Sequence, residues 1–527
     1  MLVARAATRD TRGVTPCRAS RSRRRWTLAP RARHVVARGV SFASDDDAHI
    51  HLSVVARVPD AHAGAVLALA AVDDPDPDAR FPWFVSTSVD GTVSTWHVEE
   101  RAGGELELVR DASFGDDDAP WWCLAVDEEW LFAGTHGRKV KVRLAVDADL
   151  EKLPGAIANH TGWVRALASV RKTPNELERA RRSPRLPGAS ATGPEDAFFE
   201  ARNDSYISPP TFGNAWRFSA ACNVVRVWQD SFAFDEDDEM GDVGDDALSS
   251  AVVDVGETKI FTGDVLCLAG FQTATRSPNG SSRFLIAGVA DGTVRGWRVV
   301  ESPDTSKPSN APVMVPITKR FVETNGGRVQ TLFALAEVFP KDDLMSRLVV
   351  FGCRDGTLGL VDAETLLASP ARVKAHTLED AFEEKQKQKA SGVACLCAGP
   401  RNTVASGGDD GIVRLWRAKK RRLSESEKTN DVLSTTGSNS GGDVANVTCV
   451  SLEPAGGTRE RTGDDGDDVS SPNARGEEEG EKTEKKSGVP PGTRCLCAVR
   501  DASGARVGVL AGDRAGGLTV YVAASSQ

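Results

Sequence analysis

One stretch constrains this chain more than any other. At 405–416 the sequence ASGGDDGIVRLW places two short strands around a tight Asp-Gly turn and closes the second strand with a tryptophan. The same unit recurs at 85–96 and at 286–297, each with an Asp-Gly turn and a closing tryptophan. Asp-Gly between strand-forming residues is a strong short-range hairpin signal, because both central positions favour positive φ. A hairpin cannot bury its apolar face alone. A chain that repeats one must stack the copies into a ring or a solenoid.

A second pattern runs in step with the hairpins. Each copy is preceded by a short apolar strand: 66–70, 121–125, 164–168, 265–269, 329–333, 393–397 and 493–497. All seven have leucine in the fourth place, and six of the seven have small residues in both the third and fifth. A strand pinched between neighbouring sheets needs small groups on one face and a filler on the other. The hairpins close at Trp96, Arg143, Trp228, Trp297, Val361, Trp416 and Tyr521, which makes seven units, three of them degenerate.

On these residues the chain resembles the WD40-repeat family. The resemblance implies an all-β fold, a seven-bladed WD40-like β-propeller over 49–521. It also implies a bracing set in each blade: a histidine ahead of the inner strand, a serine, a turn aspartate and the closing tryptophan. Unit one carries His62, Ser86, Asp90 and Trp96. Elsewhere the set is partial: His160 and Trp228, Asp291 and Trp297, Asp355, Asp410 and Trp416. His376 meets the pattern only across an insertion, and no unit ends in the literal Trp-Asp pair. The repeats open with a lone strand at 51–57 and end on a third strand at Tyr521. The first strand is therefore expected to complete the last blade and remove an open edge.

The surplus length falls outside the repeats. Residues 1–43 form a basic extension read as disordered. Its first forty residues hold eleven arginines and one acid, a net of +10, which leaves −20 on the rest of a chain whose total is −10. That composition suits a chloroplast or mitochondrial transit peptide, and equally a basic tail on a cytoplasmic or nuclear protein. Insertions are expected at 171–215, at the acidic 231–247, at 377–390 as a short helix, and at 419–490 as a largely disordered segment. A strand near 447–452 interrupts the last of these. Lys419-Lys420-Arg421-Arg422 stands at its mouth as a candidate import signal.

No feature of the sequence demands chemistry. Cys395, Cys397, Cys495 and Cys497 could suggest zinc, but the other repeats hold small residues in those columns, and cysteine serves as a small hydrophobe. His62, His160 and His376 fall on bracing positions, with no nucleophile arranged beside them. No catalytic residue, cofactor or metal is expected. Ten cysteines without disulfide-type spacing point to free thiols. The acidic body argues against nucleic acid, no apolar run is long enough to span a bilayer, and no small-molecule substrate is implied.

The reading is a non-enzymatic protein-interaction scaffold. Behind it stand a substrate receptor in a ubiquitin-ligase or other regulatory complex, an enzyme using the central channel, and an RNA-associated assembly factor. The partner rim is assigned to Trp163, Arg328 and Trp122. Trp163 and Arg328 share the column just before an inner strand, and tryptophan and arginine are enriched in hot spots.

Overall fold

The structure is a computed structural model. It describes residues 49–72, 80–101, 105–115, 119–127, 130–144, 150–157, 160–171, 215–230, 252–259, 263–277, 280–300, 312–317, 322–324, 327–369, 372–376, 392–422, 448–458 and 491–524. The basic extension 1–43, most of the 171–215 insertion, the acidic loop 231–247 and the expected helix at 377–390 lie outside them. All described residues fall in the compact unit Asp45–Gly188 with Phe212–Gln527. The other unit, Met1–Ser44 with Ala189–Thr211, lies outside the described residues.

The fold is an all-β propeller. Its strands group into antiparallel sets of four, each a blade. Blade one comprises Val66–Val72, Trp83–Ser88, Thr92–Glu100 and Leu106–Gly115. The inner strands of the following blades are Trp121–Asp127, Val164–Arg171, Val265–Ser277, Val329–Ala334, Val393–Ala398 and Thr493–Arg500. Each inner strand packs against the next, and the last packs against the first, so the ring closes. Apolar clusters fill the gaps between blades. Val72, Trp83, Val85 and Val93 of blade one, for example, pack against Trp121, Leu131 and Ala133 of blade two. Among the described residues the only helical segments are two single 3-10 turns, Leu335–Glu337 and Met345–Arg347, and no helix is long and apolar enough to cross a membrane.

The small third position of each inner strand has a volume partner on the neighbouring strand. Cys123, Cys267, Thr331, Cys395 and Cys495 stand opposite Gly134, Gly288, Gly352, Gly407 and Gly512. A Cβ on Gly134 would come within 2.5 Å of Cys123 Sγ and 2.6 Å of Val164 Cγ1 of the next blade. Where the third residue is alanine, its partner has side-chain volume instead: Ala68 faces Thr87 and Ala166 faces Ala220. Packing at close-packed density accounts for these thiols. The inner-strand cysteines Cys123, Cys267, Cys395, Cys397, Cys495 and Cys497 are free, and no metal-type cluster occurs among the described residues.

The closing strand Ile50–Val58 pairs antiparallel with Leu518–Ala523, from Leu52↔Ala523 to Val58↔Leu518. It supplies the fourth strand of blade seven, the closure expected from the missing C-terminal strand. Its start also pairs in parallel with Thr448–Thr458, through Ile50↔Gly456, His51↔Gly457 and Leu52↔Thr458. That second pairing joins blades six and seven into one eight-stranded sheet.

The insertion expected at 419–490 needs correcting. Lys419 to Arg422 lie inside the strand Val413–Arg422 and pair with Ser451 back to Thr448 of Thr448–Thr458, which is blade six's fourth strand. The run of basic residues is therefore strand, not the mouth of a loop. Lys419 pairs with Glu453 at 3.1 Å and Lys420 with Asp342 at 2.7 Å. Alternation along the strand sends Lys419 and Lys420 to opposite faces, each to its own acid.

Candidate functional site

The hairpin tips and the entries to the inner strands share one rim of the ring. A repeated backbone bond builds it. The N–H of the tip residue donates to the carbonyl just before the inner strand: Val89 to Ala65 at 3.0 Å, His136 to Pro120 at 3.0 Å, Arg354 to Arg328 at 2.9 Å and Arg514 to Gly492 at 3.1 Å. A second bond latches each blade to the next. The His160 N–H donates to Arg138 at 2.9 Å, the Thr324 N–H to Gly292 at 3.0 Å and the His376 N–H to Gly356 at 3.1 Å. The His62 N–H donates to Gly516 at 3.0 Å in the same way, so this latch also closes the ring between blades seven and one.

Beneath the rim lie the bracing side chains. In blade one the Trp96 indole N–H donates to Ser86 Oγ at 2.7 Å, and Ser86 Oγ lies 2.6 Å from His62 Nε2. His62 Nδ1 reaches Thr92 Oγ1 at 2.6 Å, and that hydroxyl donates to Asp90 at 2.6 Å. Asp90 also accepts the Ala63 N–H at 2.7 Å. Burial disfavours the charged imidazole and outweighs the attraction of Asp90, so the His62 pKa falls to about 4. A neutral ring with its proton on Nδ1 satisfies every contact in this chain of bonds.

Blade six makes the shorter circuit. Trp416 Nε1 donates to Ser406 Oγ at 2.8 Å, His376 Nε2 lies 2.9 Å from the same oxygen, and His376 Nδ1 lies 2.9 Å from Asp410. Burial alone would raise the Asp410 pKa; the His376 and Arg414 contacts outweigh it and hold the carboxyl below its usual range. The sequence reading took unit one as the fullest match, placed His376 in the histidine position only across an insertion, and did not name Ser406 in the set.

The other assigned positions brace less than the sequence implies. His160 Nε2 reaches Ser219 Oγ at 2.7 Å, and burial lowers its pKa to about 4, with Arg226 adding to the effect. Trp228 does not complete that set. Its indole N–H has no hydrogen-bond partner among the described residues, and the ring packs edge-on to Phe132 of blade two at 5.3 Å. Trp297 is buried, but Ala287 occupies the strand position that holds serine in blades one, three and six, so no hydroxyl is there to receive it. Asp291 and Asp355 each accept the backbone N–H two residues on at 2.9 Å, which caps their turns. Arg143 stands in the tryptophan column of blade two, its guanidinium 5.6 Å from the Trp121 ring.

Of the three residues assigned to a partner rim, Trp163 and Trp122 come together. Trp163 is 40 % exposed. It stacks on Trp122 of the preceding blade with ring centroids 5.8 Å apart and planes 12° from parallel. His136, at the tip of the blade-two hairpin, lies 4.1 Å from the Trp163 ring. Arg165 sits 5.7 Å from the Trp122 centroid and 5.5 Å from that of Trp163. Trp121, the other tryptophan of the pair, is buried in the interface between blades one and two. Arg328 does not join this group. It belongs to blade five, with blade four intervening, and Arg165 is the arginine at the tryptophans. Sequence columns align equivalent positions but do not say which blades are neighbours across the rim.

Comparison with known proteins agrees with the geometry. The family pattern described as "WD domain, G-beta repeat" matches residues 383–417, the first strands of blade six. No curated protein matches the chain. Among solved structures, the crystal structure of the RRP9 WD40 repeats is similar to 90 % of this chain and 100 % of its own, at 13 % identity and a TM-score of 0.47. The repeat match falls on the blade whose histidine, serine, aspartate and tryptophan form a directly bonded set, and in that blade the chain is similar to the WD40 repeat.

Proposed function

We propose that this protein is a non-enzymatic interaction scaffold that docks a protein partner on the rim of blades two and three, centred on Trp163. The supporting observation is the stack itself. An exposed tryptophan lying alone needs no explanation. Here the exposed ring is held by Trp122, His136 and Arg165 from two blades. A side chain already fixed in place loses little entropy on binding, which is what a hot spot requires.

The test is capture of partners from native cells by the full chain and by Trp163→Ala, read by quantitative mass spectrometry beside a melting curve. The variant is expected to lose a defined set of partners, a cost above about 1 kcal/mol, with the melting temperature nearly unchanged. A large fall in melting temperature with every partner retained would make Trp163 a packing residue and remove the docking proposal.

A further inference from the structure

We propose that His97 is a proton-sensitive clasp on the outer edge of blade one. Its imidazolium ties the bulged strand Leu106–Gly115 to Thr92–Glu100, and loss of the proton releases that strand. Opposite the closing tryptophan the two strands carry a β-bulge. Thr95 pairs with Ala112 and Trp96 with Arg110, which leaves Asp111 as the extra residue. A bulge re-aims a side chain. Here the Asp111 carboxylate lies 2.7 Å from His97 Nδ1. Glu99, two residues along from His97, lies 2.8 Å from Nε2. Each ring nitrogen therefore faces a carboxylate. An ionised carboxylate only accepts, so both bonds form only when both nitrogens carry protons.

The same bulge recurs in blades three and six without the clasp. Val227 pairs with Gly256 and Trp228 with Asp254, which leaves out Val255. Leu415 pairs with Gly456 and Trp416 with Pro454, which leaves out Ala455. The residues after these two tryptophans are Gln229 and Arg417. Neither Gln229 with Val255 nor Arg417 with Ala455 can gain or lose a proton near neutral pH. Of the three bulges, the titrating pair belongs to blade one.

The clasped strand also carries Arg110, the residue beside the bulge. Its guanidinium lies 4.6 Å from the Trp96 ring centroid and donates to the Ala61 carbonyl, one residue before His62. The clasp thus connects the surface of blade one to its bracing set. The charged groups that bear on His97 are Glu99 on its own strand and Asp111 on the strand beside it. Burial alone would lower the His97 pKa; the two carboxylates outweigh it and hold it above 6.5. A pKa raised in the fold gives stability that is whole below the unfolded value and lost as pH rises through the folded one. The clasp is closed in mildly acidic solution and opens as the solution turns alkaline.

The experiment follows the full chain by hydrogen exchange, each rate corrected for intrinsic exchange at its pH, and by NMR titration of the His97 ring. Protection of Leu106–Gly115 is expected to fall roughly fivefold between about pH 6 and about pH 9, the scale of a part-exposed ion pair, with its midpoint at the His97 titration. Thr448–Thr458, which has the blade-six bulge and no histidine beside it, should keep its protection over that range. In His97→Gln, which never carries a charge, protection of Leu106–Gly115 should be low throughout and independent of pH. Asp111→Asn should move the His97 titration down toward its ordinary value. Equal protection of Leu106–Gly115 at both ends of the range in the wild type overturns the proposal. So does a fall that persists in His97→Gln, or a His97 ring that titrates at or below its ordinary value.

Discussion

Gly456 lies against Ile50 so closely that a Cβ on the glycine would overlap the Ile50 carbonyl oxygen. The two residues are register partners in the parallel pairing that joins the closing strand to blade six, and Gly456 has φ +135°. Only glycine adopts that backbone at low cost. Gly456→Ala should therefore destabilise the ring by roughly 2 kcal/mol or more, through strain and loss of the parallel bonds. Chemical denaturation of the variant beside the wild type measures this. Deleting Ile50–Val58 should do more, because it uncovers the edge at Leu518–Ala523. A variant and a deletion that both melt like the full chain would show that the ring does not depend on this closure.

The serine at the centre of each braced blade should matter in proportion to its partners. Ser406→Ala leaves two buried groups unpaired, His376 Nε2 and Trp416 Nε1. Ser219→Ala leaves one, His160 Nε2, since the Trp228 indole N–H does not bond to Ser219. A buried group without its partner costs about 1–3 kcal/mol, so Ser406→Ala should cost the more of the two. Equal unfolding free energies for the two variants would show that the bonds to Ser406 add nothing beyond packing.

Stability should fall as the solution is acidified through the histidine range. His62 and His160 titrate at about 4 in the fold, depressed by burial, and near 6.5 when the chain is unfolded. Between those values the unfolded chain binds more protons. The stabilisation is whole above the unfolded pKa and is lost as pH falls toward the folded one. Melting temperatures measured from pH 7 down to pH 4 should decline steadily. The slope should be shallower in His62→Gln/His160→Gln, which starts lower but has less to lose.

The inner-strand thiols should be inert in the native protein. Burial pushes Cys123, Cys395 and Cys497 up to about 12 and raises Cys267 and Cys495 as well. The thiolate is the reactive form. Iodoacetamide at neutral pH should leave these five unmodified until denaturant is added, and a metal chelator should not shift the melting temperature. Rapid native alkylation at Cys395 or Cys495 would show that the inner strands open far more often than their packing implies.

The local patterns of the sequence were enough for the repeating unit. An Asp-Gly turn is set by the positive φ of its glycine, as at Gly91, Gly292, Gly356 and Gly411, and by the aspartate that caps it; a pinched strand is set by the size of its third and fifth side chains. Both are properties of neighbours along the chain. The column holding cysteine at 395 and 495 could be read the same way, but its glycine partners at 407 and 512 lie 12 and 17 residues downstream and needed the register to be found. The candidate rim was half legible for the same reason. Trp163 could be placed before an inner strand by counting, and so could Arg328, but counting gives their rank in the repeat and not their separation in space.

What only the tertiary structure decided depends on contacts between residues far apart in the chain. The sequence determined the hairpins, the inner strands and the need for the first strand to close the last blade. It did not determine that Ile50 would also pair with Gly456, because a parallel partner leaves no turn between the strands to betray it. It placed His376 in the histidine position across an insertion but did not show that Ser406 and Asp410 close on it, because those contacts form only in the folded blade. It named Arg328 where Arg165 holds the tryptophans, because the ring brings blades two and three together and sets blade five apart. Side-chain identity fixes what each blade is made of; the closure of the ring fixes which blades meet.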